Sequence, residues 1–65
     1  MKDTTTRTTG LELKLWRTSL ELPVRAIAQE AGCSRTYINR IEREAHPSDR
    51  ACALYIAAVG RARVR

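Results

Sequence analysis

The sequence predicts an all-α fold, a compact bundle of four or five helices, and three observations support this prediction. Apolar residues recur at the three- and four-residue spacing of a helix face in several segments of the chain. No run of alternating β-branched residues occurs among the 65 residues, so strands are not expected. The hydrophobic fraction of 43% suffices for one core, although phenylalanine is absent. One small domain follows.

The first helix is predicted over residues 11–19, after a polar segment, residues 1–9, that we expect to be a flexible arm. Thr8 or Thr9 can cap this helix. Its inner face follows the spacing i, i+3, i+4, i+7 and comprises Leu13, Trp16, Arg17 and Leu20. A cation on an apolar face needs a partner when it is buried. Arg17 is therefore expected to form an ion pair.

The second helix is predicted over residues 24–31, because Pro23 suits the first turn of a helix. Its inner face comprises Ile27, Ala28 and Ala31. Gly32 can adopt the positive φ that ends a helix and redirects the chain. Ala28 is small and allows the next helix to approach closely. These signals predict a tight turn between two crossing helices.

The third helix is predicted over residues 35–43, with Ser34 as its N-cap. Ile38 and Ile41 lie three residues apart, so they share one face and can be buried together. The side chains left exposed are those that bond base edges and phosphates: Arg35, Thr36, Asn39, Arg40 and Arg43. This pattern is typical of a helix-turn-helix whose second helix enters the major groove.

The fourth helix is predicted to begin after Pro47, with Ser48 as its cap. Its apolar spacing places four residues on the inner face: Cys52, Tyr55, Ile56 and Val59. Gly60 is a natural C-cap, and residues 61–65 would follow as a basic tail. The predicted organisation is an arm at residues 1–9, a helix-turn-helix domain at 10–60 and a tail at 61–65.

Charge and composition narrow the classes of function. The formal net charge is +5, which is compatible with a nucleic acid or with an anionic surface, and the arginines near the third helix favour nucleic acid. The two cysteines form no CxxC motif and the single histidine has no ligand partner, so neither a metal nor another cofactor is expected. No catalytic set is present, and no enzyme activity or small-molecule substrate is predicted.

The chain shows no signal peptide and no apolar run long enough to span a bilayer. We therefore expect no membrane association, a cytoplasmic location and reduced thiols. Cys33 and Cys52 are expected to be small core residues.

From Leu13 to Val59 the chain resembles the DNA-binding domain of the Cro/cI-type phage repressors, the XRE family. The matching positions include Trp16-Arg17, Leu22, Ile27-Ala28, Ala31-Gly32, Ser34-Arg35, Tyr37-Ile38, Arg40-Ile41-Glu42-Arg43 and Pro47-Ser48. The resemblance implies a repressor-like bundle. It also implies that an ion pair between Arg17 and Glu42 ties the first helix to the third. Glu44 stands where relatives usually have glycine.

The resemblance and the residue chemistry together assign expected roles on DNA. Base reading is assigned to Arg35, Thr36, Asn39 and Arg40. Contacts to the DNA backbone are assigned to Arg25, Ser34, Tyr37 and Arg43. Val24 lacks the polar group that relatives often place at the start of the second helix. The cations of the arm and the tail either contact phosphates or serve solubility.

The expected function is sequence-specific binding of double-stranded DNA to regulate transcription. A domain this small buries too little surface for strong specificity alone, so a homodimer on a palindromic operator is expected. A repressor of phage or mobile-element type, acting by occlusion of a promoter, fits these features. The alternative is an antitoxin-like interaction module that binds a protein partner as well as DNA, through its first helix or its tail.

Overall fold

The computed structural model describes residues 8–64, which contain four α-helices and no strand. Their bounds are α1 Gly10–Ser19, α2 Val24–Ala31, α3 Arg35–Arg43 and α4 Asp49–Arg63. The all-α prediction is confirmed. Helices α2 and α3 begin and end at the predicted residues, and α1 begins one residue earlier than expected. Most of the predicted arm, residues 1–7, lies outside the described residues.

The turn between α2 and α3 has the predicted chemistry. Gly32 has φ 72°, in the left-handed region, and this conformation ends α2. Ser34 then caps α3, because its Oγ accepts a hydrogen bond of 3.1 Å from the Tyr37 N–H. Ser48 caps α4 in the same way, with Ala51 as donor at 3.1 Å. Local hydrogen bonds thus fix the N-termini of α3 and α4.

Helix α1 begins with a capping box. Thr9 Oγ1 accepts from the Glu12 N–H at 3.1 Å, and Glu12 Oε1 accepts from the Thr9 N–H at 2.8 Å. At the other end, Glu21 has φ 58°, a left-handed conformation that is uncommon outside glycine. The chain bends there so that the Leu22 N–H donates to the Arg17 carbonyl at 3.2 Å.

The core lies where α4 crosses the other three helices. Its fully buried large side chains are Tyr55, Ile27, Ile38, Ile41 and Val59. Small residues complete it, namely Ala28, Ala51, Ala58 and Ala62, together with Leu13. Trp16 is partly buried and packs against this cluster, as expected for an indole on the inner face of α1. The tyrosine, rather than the tryptophan, occupies the centre.

Two predictions for α4 are wrong. Gly60 does not end the helix, which continues to Arg63 and ends at Val64 as C-cap. A glycine inside a helix costs only about 1 kcal/mol relative to alanine, so it stops a helix only where the chain gains by turning. Ile56 is not on the inner face, because 47% of it is exposed, and Ala51, Ala58 and Ala62 are buried instead.

Gly10 joins the start of α1 to the end of α3. Its N–H donates to the Glu44 carbonyl at 2.9 Å. A Cβ at this position would lie 2.5 Å from the same carbonyl oxygen and 2.7 Å from the Glu42 carbonyl carbon, closer than real contacts allow. Only glycine therefore permits this approach of the two helices.

Candidate nucleic-acid interface

Helix α3 has one buried and one exposed face. Ile38, Ile41 and Glu42 face the core. The five side chains predicted to meet DNA all lie on the exposed surface: Arg35, Thr36, Asn39, Arg40 and Arg43. The two isoleucines in the core and the Ser34 cap fix the position of α3. The side chains on its exposed face are therefore not needed to hold the helix in place.

A buried polar network fixes α3 against α1 and α4. Arg17 donates from Nε to Glu42 Oε2 at 2.7 Å and from Nη2 to Glu42 Oε1 at 3.2 Å, a bidentate ion pair. The two side chains are 9% and 5% exposed. Arg17 Nη1 donates to the Leu22 carbonyl at 2.8 Å, and the Tyr55 hydroxyl donates to Glu42 Oε2. The structure thus brings Arg17 and Glu42 together and adds Tyr55, whose spacing predicted only a core position.

The same network shifts the pKa of two of its members. Burial alone would lower the pKa of Arg17, but the hydrogen bond and charge of Glu42 outweigh this effect and raise it. The pKa of Tyr55 is raised, first because burial disfavours the phenolate and second because the Glu42 carboxylate lies beside it. The network is therefore held with Arg17 charged and Tyr55 neutral.

Two clefts flank the exposed face of α3 and meet at Asn39. One lies against α2 and is lined by Pro23, Val24, Arg25, Arg35 and Asn39. The other lies against α1 and is lined by Lys14, Thr36, Asn39, Glu42 and Arg43. The predicted base-reading residues Arg35, Thr36 and Asn39 are therefore joined to the predicted backbone contacts Arg25 and Arg43 in one surface.

This surface is positively charged and unpaired. Within residues 8–64, no ion pair or hydrogen bond is formed by the side chains of Lys14, Arg25, Arg35 and Arg43. The one carboxylate in the clefts, Glu42, already receives hydrogen bonds from Arg17 and Tyr55. The cations are thus available to an anionic ligand.

A third cleft lies between α3 and the start of α4 and contains Tyr37, Arg40, Glu44 and His46. Arg40 Nε lies 3.9 Å from Glu44 Oε2, and the two side chains are 72% and 44% exposed, so this pair is weak. The Tyr37 side chain is partly exposed here.

Ser34 uses its oxygen as the cap acceptor, which leaves the hydroxyl proton free to donate.

Lys14 is a member of this surface that the sequence pattern did not predict. Lys14 lies three residues before Arg17 and therefore next to it on α1. Since Arg17 was expected to meet Glu42, the position of Lys14 beside Arg43 could have been inferred from the same pairing. The position of Lys14 could thus be predicted from the sequence only by way of the ion pair between Arg17 and Glu42.

The predicted basic tail is divided by the structure. Residues 61–63 are helical, and Arg61 turns back to α2. Its Nη2 donates to the Glu30 carbonyl at 2.9 Å, and its Nε lies 3.7 Å from Glu30 Oε1. Arg65 lies outside the described residues. Across the described part of the chain, no group of three histidine, cysteine, aspartate or glutamate side chains is placed to bind a metal ion, and no helix there has the length and apolarity to cross a bilayer.

A short helix, a glycine turn and a second helix with an exposed polar face define a helix-turn-helix domain. The helix-turn-helix family model HTH_3 matches residues 13–61, which is more than half of the chain, and the chain belongs to that family. It is a DNA-binding transcription regulator of the XRE type. No curated protein and no solved structure matches the chain.

Proposed function

We propose that this protein binds double-stranded DNA sequence-specifically by placing α3 in the major groove, and that it acts as a repressor. The observation that supports this most is the exposed face of α3 between two clefts whose cations have no partner among the described residues. The cations of such a surface are hydrated in the free protein and can form charge-assisted contacts with DNA phosphates.

Base reading is proposed for four residues on the exposed face of α3, from its first turn to the start of its last turn. Arg35 and Arg40 have the planar donor group that pairs with the O6 and N7 atoms of guanine. Asn39, at the meeting point of the two clefts, has the amide that pairs with adenine. Thr36 supplies a hydroxyl for hydrogen bonds and a methyl group for contact with thymine.

Backbone contacts are proposed on both sides of α3. Arg25 lies in the cleft towards α2, and Ser34 is the N-cap of α3. Tyr37 lies in the cleft towards α4, and Arg43 lies in the cleft towards α1. Lys14 joins this group because it lines the cleft of Arg43. Contacts of this kind fix the register of the protein on the duplex without reading its sequence.

We further propose that the functional unit is a homodimer on a palindromic operator of a phage or mobile element. A single helix-turn-helix reads only a few base pairs, and two copies related by a two-fold axis multiply the specificity. Half-sites would then lie about 34–36 Å apart, one turn of the duplex. Occupation of such a site across a promoter would exclude the polymerase and repress transcription.

The direct test is selection of bound sites from a random DNA pool, followed by footprinting on the selected site. The proposal expects an inverted repeat with half-sites one turn apart and protection on one side of the duplex. The Arg35→Ala variant serves as control and should lose preference at one position in each half-site. Recovery of a single site without repeat would contradict the dimeric reading, and recovery of no preferred sequence would contradict base reading.

A second candidate is supported by a different surface. Leu11 and Leu15 lie four residues apart on the outer side of α1 and are 59% and 58% exposed. Such a pair is the kind of anchor that an antitoxin-like module would offer to a protein partner. If the protein acts as such a module, the double variant Leu11→Ser, Leu15→Ser should no longer co-purify with the protein partner. Its DNA affinity, measured by fluorescence anisotropy, should stay unchanged.

A further inference from the structure

Arg40 differs from the other cations of the α3 surface because a carboxylate lies beside it. Its Nε is 3.9 Å from Oε2 of Glu44, four residues further along the chain. Four other cations of the surface form no ion pair within residues 8–64: Lys14, Arg25, Arg35 and Arg43. The Arg40 and Glu44 side chains are 72% and 44% exposed, so their pair adds little to the stability of the fold. A carboxylate at the edge of a surface suited to an anionic polymer therefore requires an explanation in binding.

The backbone of Glu44 is fixed by the two helices that meet there. Glu44 is the C-cap of α3, and its N–H donates to the Ile41 carbonyl at 3.2 Å. Its own carbonyl accepts from the Gly10 N–H, at the start of α1, at 2.9 Å. Its φ of −79° is open to ordinary L-residues, so the backbone does not select among side chains at this position. The carboxylate thus extends from a fixed point beside Arg40, and the fold itself does not require it.

The cleft that holds this pair offers the carboxylate no second cation. The cleft lies between α3 and the start of α4 and also contains His46 and Ser48. Within residues 8–64, Arg40 is the one ion-pair partner of Glu44, and His46 lies beyond ion-pair distance. Ser48 has its oxygen engaged as the cap of α4. Arg40 is therefore the cation on which the charge of Glu44 acts.

The pair leaves the end of the guanidinium group free. Glu44 lies beside Nε, whereas Nη1 and Nη2 of Arg40 have no hydrogen-bond partner among the described residues. The N–H groups of these two nitrogens suffice for the bidentate pair with O6 and N7 of guanine. Arg40 can therefore bind a guanine and keep Glu44 at its side at the same time.

A phosphate is a different ligand for the same arginine. Guanine presents acceptors without net charge, whereas a phosphate bound by Arg40 would bring a second anion close to the Glu44 carboxylate. Salt does not remove this repulsion at contact distance, because the screening length is about 8 Å at physiological ionic strength. Arg40 would have to leave Glu44 or bind the phosphate against the repulsion. Glu44 thus weakens a phosphate contact of Arg40 more than a guanine contact.

We propose that Glu44 is a specificity-determining residue that acts through Arg40, because it disfavours contact of Arg40 with a phosphate and permits contact with guanine. Glu44 is a positioning residue in this role, since it contacts the arginine and not the DNA. Its effect is weaker binding to unrelated sequences, on which an unpaired arginine would bind the backbone. This inference deepens the proposed function and rests on it for base reading by Arg40.

The test compares Glu44→Gln with Glu12→Gln, which removes the same charge from another exposed position. Glutamine at position 12 can still complete the capping box with Thr9, so the control keeps its fold. Relative to this control, Glu44→Gln should bind random DNA about two- to fivefold more tightly and the selected site within about twofold. On random DNA, its slope of log affinity against log salt should be steeper by about 0.9, the value for one phosphate contact. Anisotropy titrations at several salt concentrations measure these quantities, and unfolding curves check that both variants are folded.

The Arg40→Ala background tests whether the effect passes through the arginine. In this background, Glu44→Gln should change affinity no more than Glu12→Gln does, because the side chain on which Glu44 acts is absent. An effect of the same size with and without Arg40 would overturn the proposal, since Glu44 would then repel DNA directly. A loss of affinity of Glu44→Gln for the selected site, with a changed preference at a cytosine, would also overturn it, because the carboxylate would then read a base itself.

The outcomes separate this inference from the proposed function. If a preferred site is recovered but Glu44→Gln behaves like Glu12→Gln on random DNA, base reading stands and the role of Glu44 is disproved. If no preferred sequence is recovered, base reading fails. The salt slope of Glu44→Gln on random DNA then still decides whether Glu44 keeps Arg40 from phosphates. If both proposals hold, Glu44→Gln lowers the ratio of selected-site to random-DNA affinity by about two- to fivefold.

Discussion

The two faces of α3 treat charge in opposite ways. On the inner face, Glu42 receives hydrogen bonds from Arg17 and Tyr55 and is almost fully buried. On the outer face, the adjacent Arg43 is exposed and has no partner among the described residues. A buried charge has to be satisfied inside the protein, whereas an exposed unpaired cation is left for a ligand. The comparison separates the side chains that hold α3 in place from those that α3 presents.

The inner face should give the largest effect. Glu42→Gln and Arg17→Met should each destabilise the fold by roughly 3–5 kcal/mol, because each leaves a buried partner without its counter-charge. The double variant should cost much less than the sum of the two, as thermal or urea unfolding would show. Glu44→Gln is the matched control, since its exposed pair with Arg40 should be worth less than about 1 kcal/mol. Additive losses in the double variant would disprove the coupling.

The outer face should respond in binding and not in stability. Arg35→Ala and Arg40→Ala should each weaken binding to the selected site by about 1–3 kcal/mol and relax sequence choice at one position per half-site. Their unfolding curves should stay unchanged, because both side chains are exposed. Anisotropy titrations on selected and random DNA measure the difference. Equal weakening on both would mean that these arginines contact phosphates only.

A third prediction uses pH to probe the inner face. The pKa of Tyr55 is raised above its ordinary value of 10.0 by burial and by Glu42, so the folded state keeps the phenolic proton longer than the unfolded state does. This difference stabilises the folded state fully below pH 10.0, and the stabilisation is lost as the pH rises beyond that value. Tyr55→Phe should cost about 1–2 kcal/mol at neutral pH and flatten this alkaline loss. Tyr37→Phe, on the exposed side of α3, should leave the alkaline loss in place.

The smallest change in DNA affinity is expected at the edge of the exposed face of α3. Lys14→Gln should lower affinity on all DNA sequences alike and reduce the slope of log affinity against log salt by about 0.9, the value for one phosphate contact. Arg61→Gln removes one charge from a residue that is held by Glu30, and should leave the slope unchanged. If both variants changed the slope equally, the effect would come from net charge and not from the cleft that Lys14 lines.

The sequence was sufficient for α2, α3 and the turn between them, because Gly32 and Ser34 specify local backbone geometry. It was insufficient for α4, because a helix that is apolar all round offers no preferred face. There the tertiary contact decides: the Tyr55 hydroxyl reaches Glu42, and this orientation buries Ala58 and exposes Ile56. The end of α4 was missed for a related reason, since Arg61 gains its contacts with Glu30 only if the helix continues past Gly60.

For the surface proposed to contact DNA, residue chemistry and helical spacing predicted that the exposed side chains of α3 share one face. The clefts beside that face could not be foreseen, because they arise from the approach of α1 and α2 to α3. Lys14 enters the surface only through this approach. Residues contributed by a neighbouring helix are thus the part of such a site that a local pattern omits.

The contact of Gly10 with the end of α3 has a consequence for genetics. Any side chain at position 10 pushes against the carbonyl of Glu44 and must shift the last turn of α3, which contains Arg40 and Arg43. A screen for alleles that fail to silence a reporter should therefore recover substitutions at Gly10 beside those at Arg35. Such alleles would lie outside α3, at a residue that the proposal does not place on DNA. Second-site suppressors would be expected among the residues that line the joint between the two helices.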